Sequence, residues 1–181
     1  TALPTTGVGQ ATISASAGSL ASSNYSFGTL VDASLTITKA QAVVTANSDT
    51  SKVYNGQAQG VSGFTVSGLV NDESASVLSG VSAGASATNA GSYTAAAALG
   101  SYDGNYNLSF VNGALDIAKA NLTVTAQAAQ RTYGAANPAL TSTVSGFVNN
   151  ETSSVLSGSS SASTTALPTT GVGQATISAS A

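Results

Sequence analysis

The stretch VSGLVNDESASVLSG, residues 66–80, returns as VSGFVNNETSSVLSG at 144–158, with 11 of 15 positions identical. Agreement of that length makes the chain a repeat array, so its fold is that of a small module and not of one 181-residue domain. Working outward, Ile37-Thr38-Lys39-Ala40 reappears 80 residues later as Ile117-Ala118-Lys119-Ala120. The runs Val43-Val44-Thr45-Ala46 and Thr123-Val124-Thr125-Ala126 follow, then the turns Tyr54-Asn55-Gly56 and Tyr133-Gly134. Asn24-Tyr25 corresponds to Asn105-Tyr106. At the ends, TALPTTGVGQATISASA occupies 1–17 and recurs unchanged at 165–181, so the full period is 164 residues, made of an 80-residue and an 84-residue module.

These correspondences predict three parts. Residues 1–39 are the C-terminal part of a preceding module, 40–119 a complete module, and 120–181 the N-terminal part of a following one. The segment that would complete the third part is a copy of 18–39. Both partial modules therefore carry open strand edges, which neighbouring repeats of the same chain should cover.

Within one module the spacing predicts strands over 42–46 and 61–67, then over 81–86, 92–98, 106–111 and 114–118. Apolar residues alternate with small polar ones, as in Leu35-Thr36-Ile37 and Leu122-Thr123-Val124-Thr125, which is the pattern of half-buried strands. Asn112-Gly113 between two such runs predicts a hairpin. Asn71-Asp72-Glu73 reads as a helix start with acids in its first turn, Ser74–Leu78 as one or two helical turns, and Gly80 as the stop. The same logic places a short helix near Asn150–Leu156. The expected class is mostly β: tandem small modules, β-grasp-like or sandwich, one short helix each, forming an elongated rod. Large apolar residues are few, so each core is thin and stacking should add stability.

Composition narrows function. Only 6% of residues are charged, with four cations (Lys39, Lys52, Lys119, Arg131) against seven acids. That leaves no basic patch for nucleic acid, which needs clustered Lys and Arg. No apolar run reaches the roughly 20 residues of a membrane span. Thr1–Thr6 lack the features of a signal peptide, so an export signal is expected outside this sequence. There is no Cys, Met, Trp or His, which removes the commonest metal ligands and nucleophile–base pairs. A hydrophobic content of 42% with regular alternation argues against disorder.

The order of motifs has a likeness. A Lys-Ala step and strand come first, then Tyr54-Asn55-Gly56 or Tyr133-Gly134 with Asn137-Pro138-Ala139-Leu140. Ala90-Gly91-Ser92-Tyr93-Thr94, Asn-Tyr and a closing Leu-x-Ile-x-Lys-Ala follow. This order resembles the MBG and YDG repeat modules of giant bacterial surface adhesins of the filamentous-haemagglutinin type. Tyr54-Asn55-Gly56 resembles the YDG signature with Asn for Asp, and Tyr133-Gly134 the YGX signature. The resemblance implies an extracellular, cell-surface stalk or filament without catalytic residues. Val8-Gly9-Gln10-Ala11 departs from the Ala-Gly-x-Tyr pattern and lacks its aromatic.

Each candidate chemistry has a plainer reading. Asp72-Glu73 and Asp103 suggest calcium but are too few for its ligand shell, and capping and a turn explain them. Lys39 and Lys119, with Glu73 and Glu151, contain the ingredients of an isopeptide bond; a junction lysine is the simpler reading. Asn24, Asn107, Asn121 and Asn150 begin Asn-x-Ser/Thr triplets, which a Ser/Thr-rich chain produces by chance. Tyr25, Tyr93, Tyr102 and Tyr106 fit core packing better than sugar stacking. Gly7-Val8-Gly9 lies in a turn and is no phosphate loop. We expect no catalytic, cofactor-binding or metal residue, no cofactor and no enzymatic activity. The favoured function is a structural repeat of a surface filament or adhesin stalk. A laterally self-assembling extracellular fibre is the alternative, and a glycan- or mucin-binding module is less favoured. Expected partners are neighbouring repeats and, in the fibre reading, lateral copies.

Overall fold

The computed structural model describes residues 2–100, 102 and 104–181. In chain order the strands are β1 (Gly9–Ile13), β2 (Ala33–Ile37), β3 (Ala40–Ala46), β4 (Asp49–Val53), β5 (Gln59–Ser62), β6 (Phe64–Ser67), β7 (Val81–Ala87), β8 (Gly91–Leu99), β9 (Tyr106–Val111) and β10 (Gly113–Ala118). After them come β11 (Thr123–Ala126), β12 (Ser142–Ser145), β13 (Ser161–Ser163) and β14 (Ser178–Ser180). Two single turns of 3-10 helix, Ala75–Val77 and Ser153–Val155, are the only helical elements among the described residues. The chain is mostly β, as its alternation predicts.

Between residues 40 and 118 the strands make two sheets, one ordered β6-β3-β9 and the other β4-β10-β8-β7-β5. β3 is central to the first, antiparallel to β6 and parallel to β9. Its alternate residues Ala42, Val44 and Ala46 are buried, the period-2 signature of a strand with one face inward. Ala42, Val44, Leu78 and Tyr106 form a buried cluster, packed against Phe64, Val66, Leu108 and Phe110 and against Val81 and Ala97. The last two come from the second sheet, so two sheets face one another: of the two forms expected, this is the sandwich.

Three strand pairs pass from one sheet to the other at short breaks, which is how sandwich corners are made. β3 leads to β4 through Asn47-Ser48, β5 to β6 through Gly63, and β9 to β10 through Asn112. The breaks meet. Asn47 N donates to Gly63 O (3.0 Å), Gly63 N to Ala83 O (3.1 Å), and Ala114 N to Ser48 Oγ (3.0 Å).

This corner corrects two expectations. The run 61–67 is not one strand but two, bent at Gly63, whose φ of +85° suits glycine. Asn112-Gly113 is not a hairpin turn, because β9 and β10 belong to different sheets and neither residue has positive φ. Glycine is needed there for space: a Cβ on Gly113 would stand 2.2 Å from Asn47 O.

The expected helices shrink to 3-10 turns for a backbone reason. Asn71 and Asp72 both have φ of +56°, and Asn149 and Asn150 have 52° and 59°, so each pair forms a left-handed turn and not a helix start. The 3-10 turns begin later, after Ser74 and Thr152, with no acid in their first turns. β4 went unforeseen because DTSKV contains only one apolar residue.

By contact density the chain divides into two compact units. One comprises Thr1–Thr50, Gly60–Ser86 and Ser92–Leu115; the other comprises Ser51–Gln59, Ala87–Gly91 and Asp116–Ala181. In the first, β1 and β2 add a separate antiparallel ladder. In the second, β11 pairs with β12 and β13 with β14, both antiparallel. Every buried apolar side chain among the described residues lies between Ala42 and Ile117. On either side of it, Tyr25, Val31, Leu167 and Val172 are exposed.

Candidate functional site

The densest set of side-chain contacts across long sequence separations joins the Tyr54 turn to the second Val-Asn-x-Glu segment. Gly56, at φ +73°, and an Asx turn in which Gln57 N donates to Asn55 Oδ1 (2.9 Å) shape the first partner. The left-handed pair Asn149-Asn150 shapes the second, closed by Glu151 N donating to Val148 O (3.0 Å). Tyr54 OH donates to Glu151 Oε1. Gln57 Nε2 donates to Asn149 Oδ1 (2.6 Å), and Asn149 Nδ2 donates back to Gly56 O (3.1 Å). A Cβ on Gly56 would lie 2.3 Å from Asn149 Cβ, so only glycine allows this approach. The hydrogen bond to the Glu151 carboxylate holds the Tyr54 pKa above the usual 10, with desolvation and the carboxylate's charge adding to it.

The equivalent segment earlier in the chain is used in a related way. Asn71 Nδ2 donates to Pro4 O (3.3 Å), across 67 residues of sequence. Glu73 accepts from Tyr106 OH, whose oxygen also accepts from Val70 N (3.0 Å). Glu73 is the main cause raising the Tyr106 pKa above 10, partly offset by the Val70 N–H, which favours the phenolate. In both places the asparagine at the head of the turn reaches back to a backbone carbonyl of an earlier segment.

Two concavities lie in the second unit. A cavity of about 280 Å³ is lined by Tyr54, Lys119, Leu122, Phe147, Glu151 and Val155, among others. A groove of about 730 Å³ is lined by Gln130, Arg131, Asn137, Ala166, Gly173 and Gln174, among others. In the cavity the Tyr54 hydroxyl is already engaged by the Glu151 carboxylate, and Arg131 is the charged residue among those that line the groove. Among the described residues, no group of three or more His, Cys, Asp or Glu could hold a metal ion.

The structure separates the residues singled out from sequence. Glu73 is taken up by Tyr106, while Asp103 lies outside the described residues. Lys39 stands 6.0 Å from the centre of the Tyr102 ring, a cation–π distance, and Lys119 is exposed; neither is buried as an isopeptide lysine must be. Asn24, Asn107, Asn121 and Asn150 are all exposed. Of the four tyrosines, Tyr106 is buried, Tyr93 and Tyr102 are half-buried, and Tyr25 is 79% exposed. Core packing thus fails for Tyr25, which sits in no strand. In the turn Gly7-Val8-Gly9, Val8 N donates to Asn105 Oδ1 (2.9 Å). Sequence reasoning missed the pairing of Gln57 with Asn149. Asn149 belongs to a recurring motif and Gln57 follows the Tyr54-Asn55-Gly56 turn, but nothing in one sequence says which two turns meet.

Against known families, the model described as the MBG domain (YGX type) matches residues 42–116 and again 122–181. One description thus covers both the segment with Tyr54-Asn55-Gly56 and the segment with Tyr133-Gly134. No curated protein and no solved structure matches the chain.

Proposed function

The chain belongs to the family of YGX-type MBG domains, and from that premise we propose that it is a non-catalytic structural repeat of an extracellular bacterial surface filament or adhesin stalk. The modules are 40–119 complete, 1–39 the end of the one before, and 120–181 the start of the one after. The observation that carries this reading is the back-reaching turn. Asn149 binds Gly56 of the preceding module, as Asn71 binds Pro4 of the one before it. Contacts of this kind at each step support stiff junctions and repeat-on-repeat stabilisation. The absence of glycine and proline at Lys39-Ala40 and Lys119-Ala120 supports the same stiffness.

Electron microscopy of chains carrying two or three complete periods, over a range of concentrations, tests the proposal. Separate thin rods whose length grows with period number are the expected result. At roughly 33 Å per ten-residue strand, each period should add on the order of 60–80 Å. Compact particles of fixed size would sink the stalk. Bundles thickening with concentration would favour the laterally associating fibre, for which 6% charged residues provide little repulsion.

A further inference from the structure

Asparagine followed by glycine occurs twice in the chain, at Asn55-Gly56 and Asn112-Gly113. A glycine in second place has no Cβ to shield its peptide nitrogen, so that nitrogen can reach the asparagine's own Cγ. Both asparagines are exposed, so exposure does not separate them. Their hydrogen bonds do. Gln57 N donates to Asn55 Oδ1 (2.9 Å), which folds the Asn55 side chain back over the Gly56 nitrogen lying between. Ala97 N donates to Asn112 Oδ1 (3.2 Å), and Ala97 belongs to β8, so this bond draws the Asn112 side chain across to another strand.

The Asn112 bond is part of the fold, because the chain makes it twice. Asp32 corresponds to Asn112 as Ile37 does to Ile117, and Ala15 to Ala97 as Gly9 does to Gly91. Ala15 N donates to Asp32 Oδ1 (2.9 Å) in the same way. Gly113 is also the first residue of β10, with Asn47 O and Ala46 O at 2.2 and 2.7 Å from the place of a Cβ. Bringing Gly113 N up to Asn112 Cγ therefore requires the sandwich corner to open. Asn55 and Gly56 lie between β4 and β5 and belong to no strand, with Gly56 at φ +73°. No ladder has to part before Gly56 N moves onto Asn55 Cγ. The counterpart turn, Tyr133-Gly134, has no asparagine before its glycine.

We propose that Asn55-Gly56 is a self-modification site, at which the folded chain slowly converts asparagine to aspartate. The Gly56 N–H loses its proton to hydroxide, and the nitrogen attacks Asn55 Cγ to form a new N–C bond. Negative charge collects on Oδ1, where the Gln57 N–H already points, as in an oxyanion hole. The Cγ–Nδ2 bond then breaks, ammonia leaves with a proton taken from water, and a cyclic imide remains. Water opens the imide at either carbonyl. The products are aspartate in the ordinary linkage and aspartate joined to Gly56 through its side-chain carboxyl. No oxidant or reductant takes part. Each product adds one negative charge to the net −3. The second also lengthens the main chain by one carbon beside Gly56, where even a Cβ would stand 2.3 Å from Asn149 Cβ, so the turn must rearrange. The turn thus records the age of the chain.

The test keeps the whole chain in mildly alkaline buffer and samples it over time. Tandem mass spectrometry locates each conversion by the exchange of ammonia's mass for water's, and isoelectric focusing follows the added charge. In the folded chain Asn55 should convert roughly tenfold or more faster than Asn112, the factor being set by the opening that Asn112 requires. In concentrated urea, where both dipeptides are unfolded, the two rates should converge. The variant Asn55→Gln, whose longer side chain closes a ring far more slowly, should lose the early acidic shift. Equal rates in the folded chain, faster conversion at Asn112, or no conversion at Asn55 while both react in urea would each overturn the proposal. So would an early acidic shift that persists in Asn55→Gln.

Discussion

Gly113 shows how much one missing methyl group controls. Its backbone passes Asn47 so closely that alanine must push two chain segments apart at the sandwich corner. Gly113→Ala should lower stability by about 1–3 kcal/mol in chemical denaturation, the usual range for overpacking. Leu115, fully buried beside it, should cost about 2–5 kcal/mol on truncation to alanine. The tyrosine–glutamate pairs act on pH dependence. Tyr54 and Tyr106 titrate above 10 in the folded chain, so their hydrogen bonds are intact below pH 10. As pH rises through the raised values that contribution is lost, because the unfolded state releases its protons first. The variant Y54F/Y106F should therefore show a shallower fall of the denaturation midpoint above pH 10 than the parent. At this scale the sequence was partly legible. Glu73 and Glu151 stood out as recurring, but their phenolic partners lie 33 and 97 residues away and no local spacing announces them.

Strands were more legible than helices. Alternation located β3 and β7 to β10 closely, since one face of each is less exposed than the other and period 2 follows. It failed for β4, whose five residues include only Val53 as an apolar marker. That strand exists because β3 delivers it across the corner. It failed again at Val-Asn-x-Glu, where acids after asparagine look like a helix start, yet two successive left-handed residues make a turn. The repeated 17-residue segment bears on local and tertiary causes, because one sequence takes two conformations with different strand partners. Amide exchange by NMR should find residues 9–13 protected and 173–177 fast in the dilute chain, with 178–180 slower than 14–16. Equal rates in the two copies would mean that partner strands do not decide the conformation.

At the level of the whole molecule, repeats with thin cores should draw on their neighbours. Chains of two and three periods should unfold at progressively higher urea midpoints than a single period; a constant midpoint would mean uncoupled junctions. The repeat map was readable from sequence alone, because identity over 17 residues needs no geometry. The sheet order was not readable, since it depends on which strands become neighbours across long sequence separations. The parallel pairing of β3 with β9 bears on how such a chain meets force. Six consecutive residue pairs, from Ala40 beside Tyr106 to Thr45 beside Val111, run in the same direction. Tension drawing the start of β3 one way and the end of β9 the other slides this ladder lengthwise. Its hydrogen bonds then share the load together instead of parting one at a time, so each complete repeat would behave as a mechanical fuse that holds firm and then gives way all at once.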